Sequence, residues 1–347
     1  MNNLIPEILK DIFKYVYDPD ADSCYIADRN HLYSCLLVNR HWCKIAVPIL
    51  WNRALNYYGS THERQTKILS LLKCLDQKSR NNLINNGVPF PFISDEVAIF
   101  QYTSYIEVLD YGKLINLVED WLNTLQKLPA ESLCLILRAI LKLLVKETKI
   151  KSFKNWPLKY STDLFHLILV EKNIENLFLN VRDLLIITNI RLDRFLGTLI
   201  KICRNIKKLS IRIPGQTIST NSHYVLESTQ MSLLIQHQQT LQKLKIFEGL
   251  GSSIIINETL SSVKNSLTKL IFKYVNFEGC DSWYGIRTLH MLEVFKCKNC
   301  IGLTVEMIKP LIECTREDFK KIKKVDVDWN TCKEANILLD EWKLIII

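Results

Sequence analysis

The sequence predicts an α/β protein in which a small all-helical N-terminal module is followed by a solenoid with a curved parallel sheet and helices outside. Two observations lead to this fold class. Apolar residues in the first fifty positions recur every three to four residues, which is the spacing of amphipathic helices. From residue 174 onward a short apolar pattern typical of strands returns every 25 to 35 residues, with helical segments between its copies.

The N-terminal module is predicted to consist of two or three short helices. The first lies in the segment LIPEILKDIFKYV, and Pro6 stands near its start, where a missing backbone N–H costs little. One face of this helix holds Ile8, Ile12, Phe13 and Val16. The next helices lie within residues 32–51, whose apolar side chains also recur at helical spacing. A module of about fifty residues buries little surface, so we expect it to pack against a neighbouring part of the chain.

The middle of the chain predicts mixed structure. The Asn-rich segment 78–87 predicts a turn, and the prolines in 89–92 predict an extended stretch. A short strand is predicted around 105–111, followed by helices at 113–125 and 133–145. Strand and helix begin to alternate here.

The C-terminal part of the chain repeats the pattern Leu-x-x-Leu-x-Leu, with related apolar residues at the three positions. Its copies are Ile174-Leu177-Leu179, Ile206-Leu209-Ile211, Leu241-Leu244-Ile246, Leu267-Leu270-Phe272, Leu292-Phe295-Cys297 and Ile322-Val325-Val327, and earlier matches are Ile106-Leu109-Tyr111 and, in part, Ile150-Phe153. The last two apolar positions point to the same side of a strand, so each copy predicts a strand with one buried face. Units of this kind bury that face only by stacking, which is typical of leucine-rich repeats.

Helical segments are predicted between these strands, at 193–203, 231–236 and 304–314, and a final helix at 335–347 is predicted to cap the array. The chain is therefore divided into three parts. These are a helical module over 1–52, a helical linker with the first irregular repeats over 53–148, and a solenoid with a helical cap over 149–347.

Composition indicates an ordinary globular protein with a positive charge. The chain has 347 residues, of which 48% are hydrophobic and 23% charged, so disorder is not indicated. The net charge of +9 favours acidic partners. The lysines are spread along the sequence, however, and nucleic-acid binding needs clustering on one face, so a nucleic-acid partner is not favoured.

Cysteine usage and hydropathy indicate a reducing compartment and no membrane segment. The count of 11 cysteines is odd and their spacing is irregular, which indicates reduced thiols in the cytoplasm or the nucleus. A membrane-spanning helix needs about 20 apolar residues. The longest apolar stretch, 133–145, is interrupted by Arg138 and Lys142.

The N-terminal residues carry a resemblance to a known family. The matching residues are Leu4-Ile5-Pro6-Glu7-Ile8-Leu9, Ile12-Phe13, Leu37-Val38-Asn39-Arg40-His41-Trp42 and Trp51. They resemble the F-box, and are most similar to the expanded F-box-like family of fungi. Together with the repeats, nearly the whole chain resembles the F-box/leucine-rich-repeat architecture. The chain departs from the pattern at Ile5, where Pro is usual, at Asn39, where Cys is usual, and in its long loop 18–30.

The resemblance implies a role in ubiquitin conjugation. The N-terminal helices would dock on a Skp-type adaptor and through it on a cullin, while the solenoid selects a target protein for ubiquitin transfer. The implied adaptor-binding residues are Leu4, Pro6, Ile8, Leu9, Ile12, Phe13, Leu36, Leu37, Val38, Trp42 and Trp51. Some of these would be contacts and others the module's own core, two classes that the sequence does not separate.

The outward positions of the predicted strands form a second candidate surface. If the register is right, a basic stripe with two interleaved apolar residues lies on the concave face, formed by Lys208, Arg212, Lys243, Lys245, Phe247, Lys269, Ile271, Lys273, Lys296 and Lys298. Such a stripe favours an acidic or phosphorylated target. The alternative is an ordinary solvated surface, since exposed strand positions in a Lys-rich protein are often Lys.

No catalytic or cofactor motif is recognisable, and we predict a protein without enzymatic activity, metal or cofactor. Cys297 and Cys300, with Cys280 and His290 upstream, resemble half of a zinc site, but a second Cys or His pair is missing from the sequence nearby. Glycine-rich phosphate loops and nucleophile motifs are also missing. A leucine-rich-repeat scaffold without a ubiquitin-ligase role remains the alternative function, and nucleic-acid binding is a third.

Overall fold

The computed structural model describes residues 5–16, 26–56, 60–88, 98–125, 131–155, 164–187, 193–212, 221–250, 259–315, 317–329 and 333–346. The chain forms two compact units, Met1–Leu177 and Phe178–Ile347. The predicted boundaries after residues 52 and 148 stay predictions.

The first unit is mainly helical, with one pair of short strands. Its helices are α1 (Pro6–Val16), α2 (Ile26–Leu36), α3 (Arg40–Trp51), α4 (Thr61–Lys73), α5 (Gln77–Asn85), α6 (Tyr111–Leu122), α7 (Ser132–Glu147), α8 (Phe165–Val170) and α9 (Glu175–Phe178), with 3-10 turns at Ala54–Asn56 and Tyr102–Tyr105. Its strands are β1 (Val108–Asp110) and β2 (Ser152–Lys154), which pair in parallel with Leu109 opposite Phe153. Strand β1 lies within the match 106–111, and β2 overlaps the end of the partial match 150–153.

Capping residues explain where several of these helices begin. Helix α1 begins at Pro6, whose fixed φ suits a first helical position. Asn39 adopts an extended conformation, and its side-chain oxygen accepts a 2.9 Å hydrogen bond from the Trp42 N–H, so it caps α3. Asp76 likewise accepts from the Ser79 N–H at 2.7 Å. That cap and the buried Leu83 make 77–85 a helix, so the predicted turn at 78–87 is wrong.

The second unit consists of six parallel strands that alternate with helical segments. The strands are β3 (Asp183–Ile187), β4 (Lys208–Arg212), β5 (Lys243–Leu250), β6 (Lys269–Asn276), β7 (Val294–Cys300) and β8 (Lys324–Trp329). The helices are α10 (Asp193–Ile202), α11 (Asn221–Gln236), α12 (Tyr284–Arg287), α13 (Val305–Ile312) and α14 (Lys333–Ile346), with a 3-10 turn at Leu260–Val263. Each strand pairs in parallel with the next one in the chain, so the unit is a solenoid-like α/β array.

The apolar positions of the repeat pattern stack in register across the six strands. One inward row is Leu184, Leu209, Leu244, Leu270, Phe295 and Val325, and the next is Ile186, Ile211, Ile246, Phe272, Cys297 and Val327. All of these side chains are buried except the half-buried Val327. Five of the six predicted strand copies are thereby confirmed.

The first predicted copy, 174–179, is wrong. That segment forms the single-turn helix α9, in which Phe178 is buried. The strand follows seven residues later as Val181-Leu184-Ile186, which fits the same pattern and lies 25 residues before the next copy. Both segments satisfy the apolar spacing, and only pairing with β4 distinguishes them.

The predicted helices at 193–203, 304–314 and 335–347 are confirmed to within about two residues, as α10, α13 and α14. The predicted segment 231–236 is the end of the longer helix α11. Between β5 and β6, and between β6 and β7, the described connections hold only the single turns at 260–263 and 284–287.

Three neighbouring strands contain a residue in the left-handed conformation at the same height. Glu248, Tyr274 and Asn299 have φ values of 55°, 58° and 52°. Glu248 and Tyr274 lie opposite each other, because the residues on both sides of them are paired between β5 and β6. A left-handed residue breaks the in–out alternation of a strand. Val275 and Cys300 consequently point to the core three positions after Phe272 and Cys297, and all four are fully buried.

Asp110 is a buried carboxyl group at the end of β1, and it has a structural role. Its side chain accepts a 3.1 Å hydrogen bond from the Lys113 N–H and so caps α6. Burial raises its pKa to about 6, although that hydrogen bond and the charges of Lys113 and Lys154 act in the opposite direction. The raised pKa means that the folded state binds a proton more tightly than the unfolded state does.

We therefore predict that Asp110→Asn stabilises the protein at neutral pH. Ionisation of this buried carboxyl group lowers the free energy of unfolding. The loss grows as pH rises from about 4 to about 6, reaches about 3 kcal/mol and stays constant above that. Asn keeps the capping acceptor without the charge. Thermal melts should show the variant above the wild type at pH 7.5, with the difference vanishing near pH 4. A wild type that is the more stable protein at pH 7.5 would contradict the account.

Candidate protein-interaction surfaces

The three N-terminal helices enclose a small core of their own. Its fully buried members are Leu9, Phe13, Leu32, Ala46, Ile49 and Leu50, and Cys35, Leu36, Trp42, Ile45 and Trp51 pack against them. The rings of Phe13 and Trp42 meet edge to face with centroids 5.3 Å apart, a favourable aromatic geometry. These residues hold α1 against α3.

The N-terminal helices also pack against later parts of the first unit. The rings of Trp51 and Tyr102 lie 4.4 Å apart between centroids. The carbonyl of Asn52, directly after α3, accepts hydrogen bonds from the N–H groups of Glu107 and Val108 at 3.1 and 3.2 Å. The Glu107 carbonyl accepts in the same way from the two residues that lead into β2. The end of α3 is thus joined to the start of β1, as the small size of the module led us to expect.

A row of apolar side chains on α1 and at the residue directly before it is left in solvent. We call Ile5, Ile8, Ile12 and Tyr15 the α1 face; they are 59%, 49%, 44% and 93% exposed. The spacing of three, four and three residues places them along one side of the helix. Leu9 and Phe13 occupy the adjacent, buried side. Helix α1 is therefore apolar on two sides, of which the described structure covers one.

A second exposed apolar pair lies between α2 and α3. Leu37 and Val38, which we call the turn pair, are 87% and 55% exposed. They stand directly before Asn39, whose cap fixes the start of α3. Large apolar side chains held in solvent on ordered elements are typical of interaction sites.

The structure thus separates the predicted adaptor-binding residues by exposure. Exposed members are Pro6, Ile8, Ile12, Leu37 and Val38, partly buried members are Leu36, Trp42 and Trp51, and fully buried members are Leu9 and Phe13. Leu4 lies outside the described residues. The sequence interpretation missed Ile5 and Tyr15, although their helical spacing from Ile8 and Ile12 was visible.

The predicted basic stripe lies on the outward face of the strands in the second unit. Strand pairing places Lys208, Lys243 and Lys269 side by side on β4, β5 and β6. On β7 the same row continues with Val294, and on β8 with Lys324. We call Lys208, Lys243 and Lys269 the lysine row. The next outward rows bring together Lys245, Ile271 and Lys296, and Arg212, Phe247, Lys273 and Lys298. All ten predicted side chains are exposed or half-exposed.

Charge compensation differs across this face. On β7 and β8, Lys296 and Lys298 both approach Asp326, at 3.6 and 3.1 Å. Arg212 on β4 forms an ion pair with Glu248. The ammonium groups of Lys245 and Lys273 lie over the rings of Phe247 and Tyr274, 4.7 and 4.9 Å from the centroids. Within the described residues, no ion pair reaches the lysine row.

Cys297 and Cys300 are free thiols inside the second unit whose side chains are hydrogen-bonded to each other. Burial raises the pKa of Cys297 well above its usual value, and a hydrogen bond with the Cys297 side chain lowers the pKa of Cys300. Cys280 is also buried, whereas His290 is exposed. Among the described residues, no group of three or more His, Cys, Asp or Glu side chains is placed to hold a metal ion.

The chain shows no match to a family model, and no curated protein is significantly similar to it. Within the described part of the chain, every helix is too short or too polar to cross a membrane. The α1 face, the turn pair and the outward strand face are the candidate interaction surfaces in the described part of the chain.

Proposed function

We propose that this protein is the target-selecting subunit of a Skp–cullin–F-box-type ubiquitin ligase. In this proposal the N-terminal helices dock on a Skp-type adaptor, and the second unit is a leucine-rich-repeat array that holds a target protein on its outward strand face. The observation that carries the proposal is the division of α1 into a buried side and an exposed apolar side, within a segment that resembles the F-box.

The α1 face has the form of a helix-docking site. Anchors at positions i, i+3, i+7 and i+10 fit the way in which an amphipathic helix lies in an apolar groove. Burying a fully exposed Ile or Leu side chain gains about 1.5–3 kcal/mol, so the residues of the α1 face would contribute a substantial part of the binding free energy. Leu37 and Val38 add a further apolar contact from the turn between α2 and α3.

Two departures from the F-box pattern have a structural explanation. Asn39, at the family's usual Cys, caps α3 through its hydrogen bond with the Trp42 N–H. Ile5, near the family's usual Pro, belongs to the exposed α1 face and keeps it apolar. Both substitutions are compatible with docking through this side of the helix.

The leucine-rich-repeat assignment is supported by the in-register rows of Leu, Ile and Phe on β3 to β7 and by the intervening helices. In such an array one strand face is buried under the helices and the other is available for a partner. This second face carries the basic stripe.

The proposal is tested by co-expressing the full chain with a tagged Skp-type adaptor and analysing the purified material by size exclusion. A 1:1 complex that survives the column is expected. A folded chain that elutes apart from the adaptor would contradict the ligase role and favour the alternative, a repeat scaffold whose N-terminal helices only cap the array.

A further inference from the structure

We propose that the target segment held by the second unit is acidic and extended, and that it crosses β4, β5 and β6 with its carboxylates on the lysine row. This inference rests on the part of the proposed function in which the second unit binds a target. It does not depend on adaptor docking.

The lysine row concentrates positive charge in a defined geometry. Lys243 is paired in register with Lys208 on one side and with Lys269 on the other. Neighbouring strands lie about 4.8 Å apart, so the three positions span about 10 Å. The residues that follow them, Leu209, Leu244 and Leu270, are fully buried, and strand alternation therefore turns the lysines to the opposite, outward face.

This arrangement differs from the rest of the charged surface. Three other lysines on or beside strands do meet acids: Lys323 lies 3.3 Å from Glu293, Lys151 lies 2.6 Å from Glu107, and Lys298 lies 3.1 Å from Asp326. Like charges directly opposite one another on a sheet are destabilising. The lysine row therefore holds three like charges side by side on adjacent strands, a repulsion that an anionic partner would relieve.

The extent of the basic surface favours a peptide over a nucleic acid. Asp183 stands in the same row on β3, next to Lys208, and Asp326 lies on β8. The basic part is therefore limited to the middle strands, which is too narrow to follow many phosphates. In an extended peptide every second side chain lies on the same face, about 6.6 Å from the next, so three carboxylates on one face span about 13 Å, within reach of the flexible lysine side chains.

Apolar side chains beside the lysine row add a further element of recognition. Ile271 lies half-exposed in the next outward row, two residues after Lys269, and Phe247 lies half-exposed in the row after that, four residues after Lys243. The preferred segment therefore alternates acidic residues with apolar ones, so that carboxylates meet the lysines and apolar side chains cover Phe247 and Ile271.

The test measures binding of a fluorescein-labelled twelve-residue peptide, in which Glu and Leu alternate, to the full chain at low salt. We expect Lys243→Gln to weaken binding about tenfold, because it removes the central charge-assisted contact. Lys142→Gln, which removes an exposed lysine on α7, is the matched control and should bind as the wild type does.

Lys243→Gln should also melt at or above the wild-type temperature, since it relieves the repulsion from Lys208 and Lys269.

Three results would overturn the inference. They are absence of peptide binding by the wild type, equal weakening by both variants, and tighter binding of a single-stranded DNA of equal charge than of the peptide. A Lys243→Gln variant that binds less peptide because it has lost stability would also contradict it. Lys243→Gln should form the adaptor complex as the wild type does. Adaptor binding therefore tests the proposed function, and peptide binding tests the lysine row.

Discussion

Replacing Ile12 by Asp is expected to abolish co-purification with a Skp-type adaptor while the protein stays folded. Ile12 is 44% exposed in the middle of the α1 face, so a charge there is tolerated in the free protein. In a complex the same carboxylate would be buried in an apolar groove without a partner. The lost apolar contact and the buried charge together should weaken binding by at least about 100-fold.

The matched control is Lys10→Asp. Lys10 is an exposed residue on the same helix, two positions from Ile12 and therefore nearly on the opposite side. It should co-purify with the adaptor as the wild type does. Leu9→Asp is not informative, because Leu9 is 1% exposed and its replacement disrupts the core of the module. Undiminished adaptor binding by a folded Ile12→Asp variant would contradict the assigned docking side.

Replacing Phe272 by Ala is expected to cause a large loss of stability in the second unit. Phe272 is fully buried, and its ring centroid lies 5.3 Å from Phe277, 6.2 Å from Trp283 and 6.3 Å from Phe295. Truncation leaves a cavity beside the ring of Phe295 on β7 and the rings of Phe277 and Trp283 in the connection between β6 and β7. The expected cost is about 3–5 kcal/mol, read as a lower urea midpoint of the second unit's transition.

Ile271→Ala is the control for this stability measurement. Ile271 is the neighbouring residue on β6 but points to the outward face, where it is half-exposed. Its truncation should cost less than about 1 kcal/mol. Similar losses for the two variants would mean that the assigned in–out register of β6 is wrong.

The repeat pattern was predictable because its physical basis is local. An apolar residue two positions after another must lie on the same side of a strand, and the copies from 206 onward all satisfied this condition. The same condition is met at both Leu177-Leu179 and Leu184-Ile186, so local spacing did not locate the first strand of the second unit. Pairing with β4 decides between them, and pairing is a non-local property.

The helix at 77–85 and the left-handed residues show two other limits. Asn and Gly content indicated a turn, but one cap at Asp76 and one buried anchor at Leu83 outweigh weak helix propensity. A left-handed conformation at Glu248 or Tyr274 is not favoured by either residue type, so the sequence does not predict it.

The two candidate surfaces were predictable to different degrees. Strand alternation alone assigned the basic stripe to the outward face, and the described register agrees with it. On α1, apolar residues occupy two adjacent sides, and periodicity does not say which one the module covers. Contacts with Trp42 on α3 decide that Phe13 is core, which leaves Ile8 and Ile12 exposed.

The most direct test of adaptor docking is site-specific photo-crosslinking in the full chain. A photoreactive phenylalanine analogue would be placed at Leu37 or, as a control, at Leu344 on α14; the two side chains are 87% and 83% exposed. With the adaptor present, we predict a crosslinked product from position 37 and none from position 344. Equal crosslinking from both positions, or none from position 37 in a chain that still co-purifies with the adaptor, would contradict docking through the N-terminal helices.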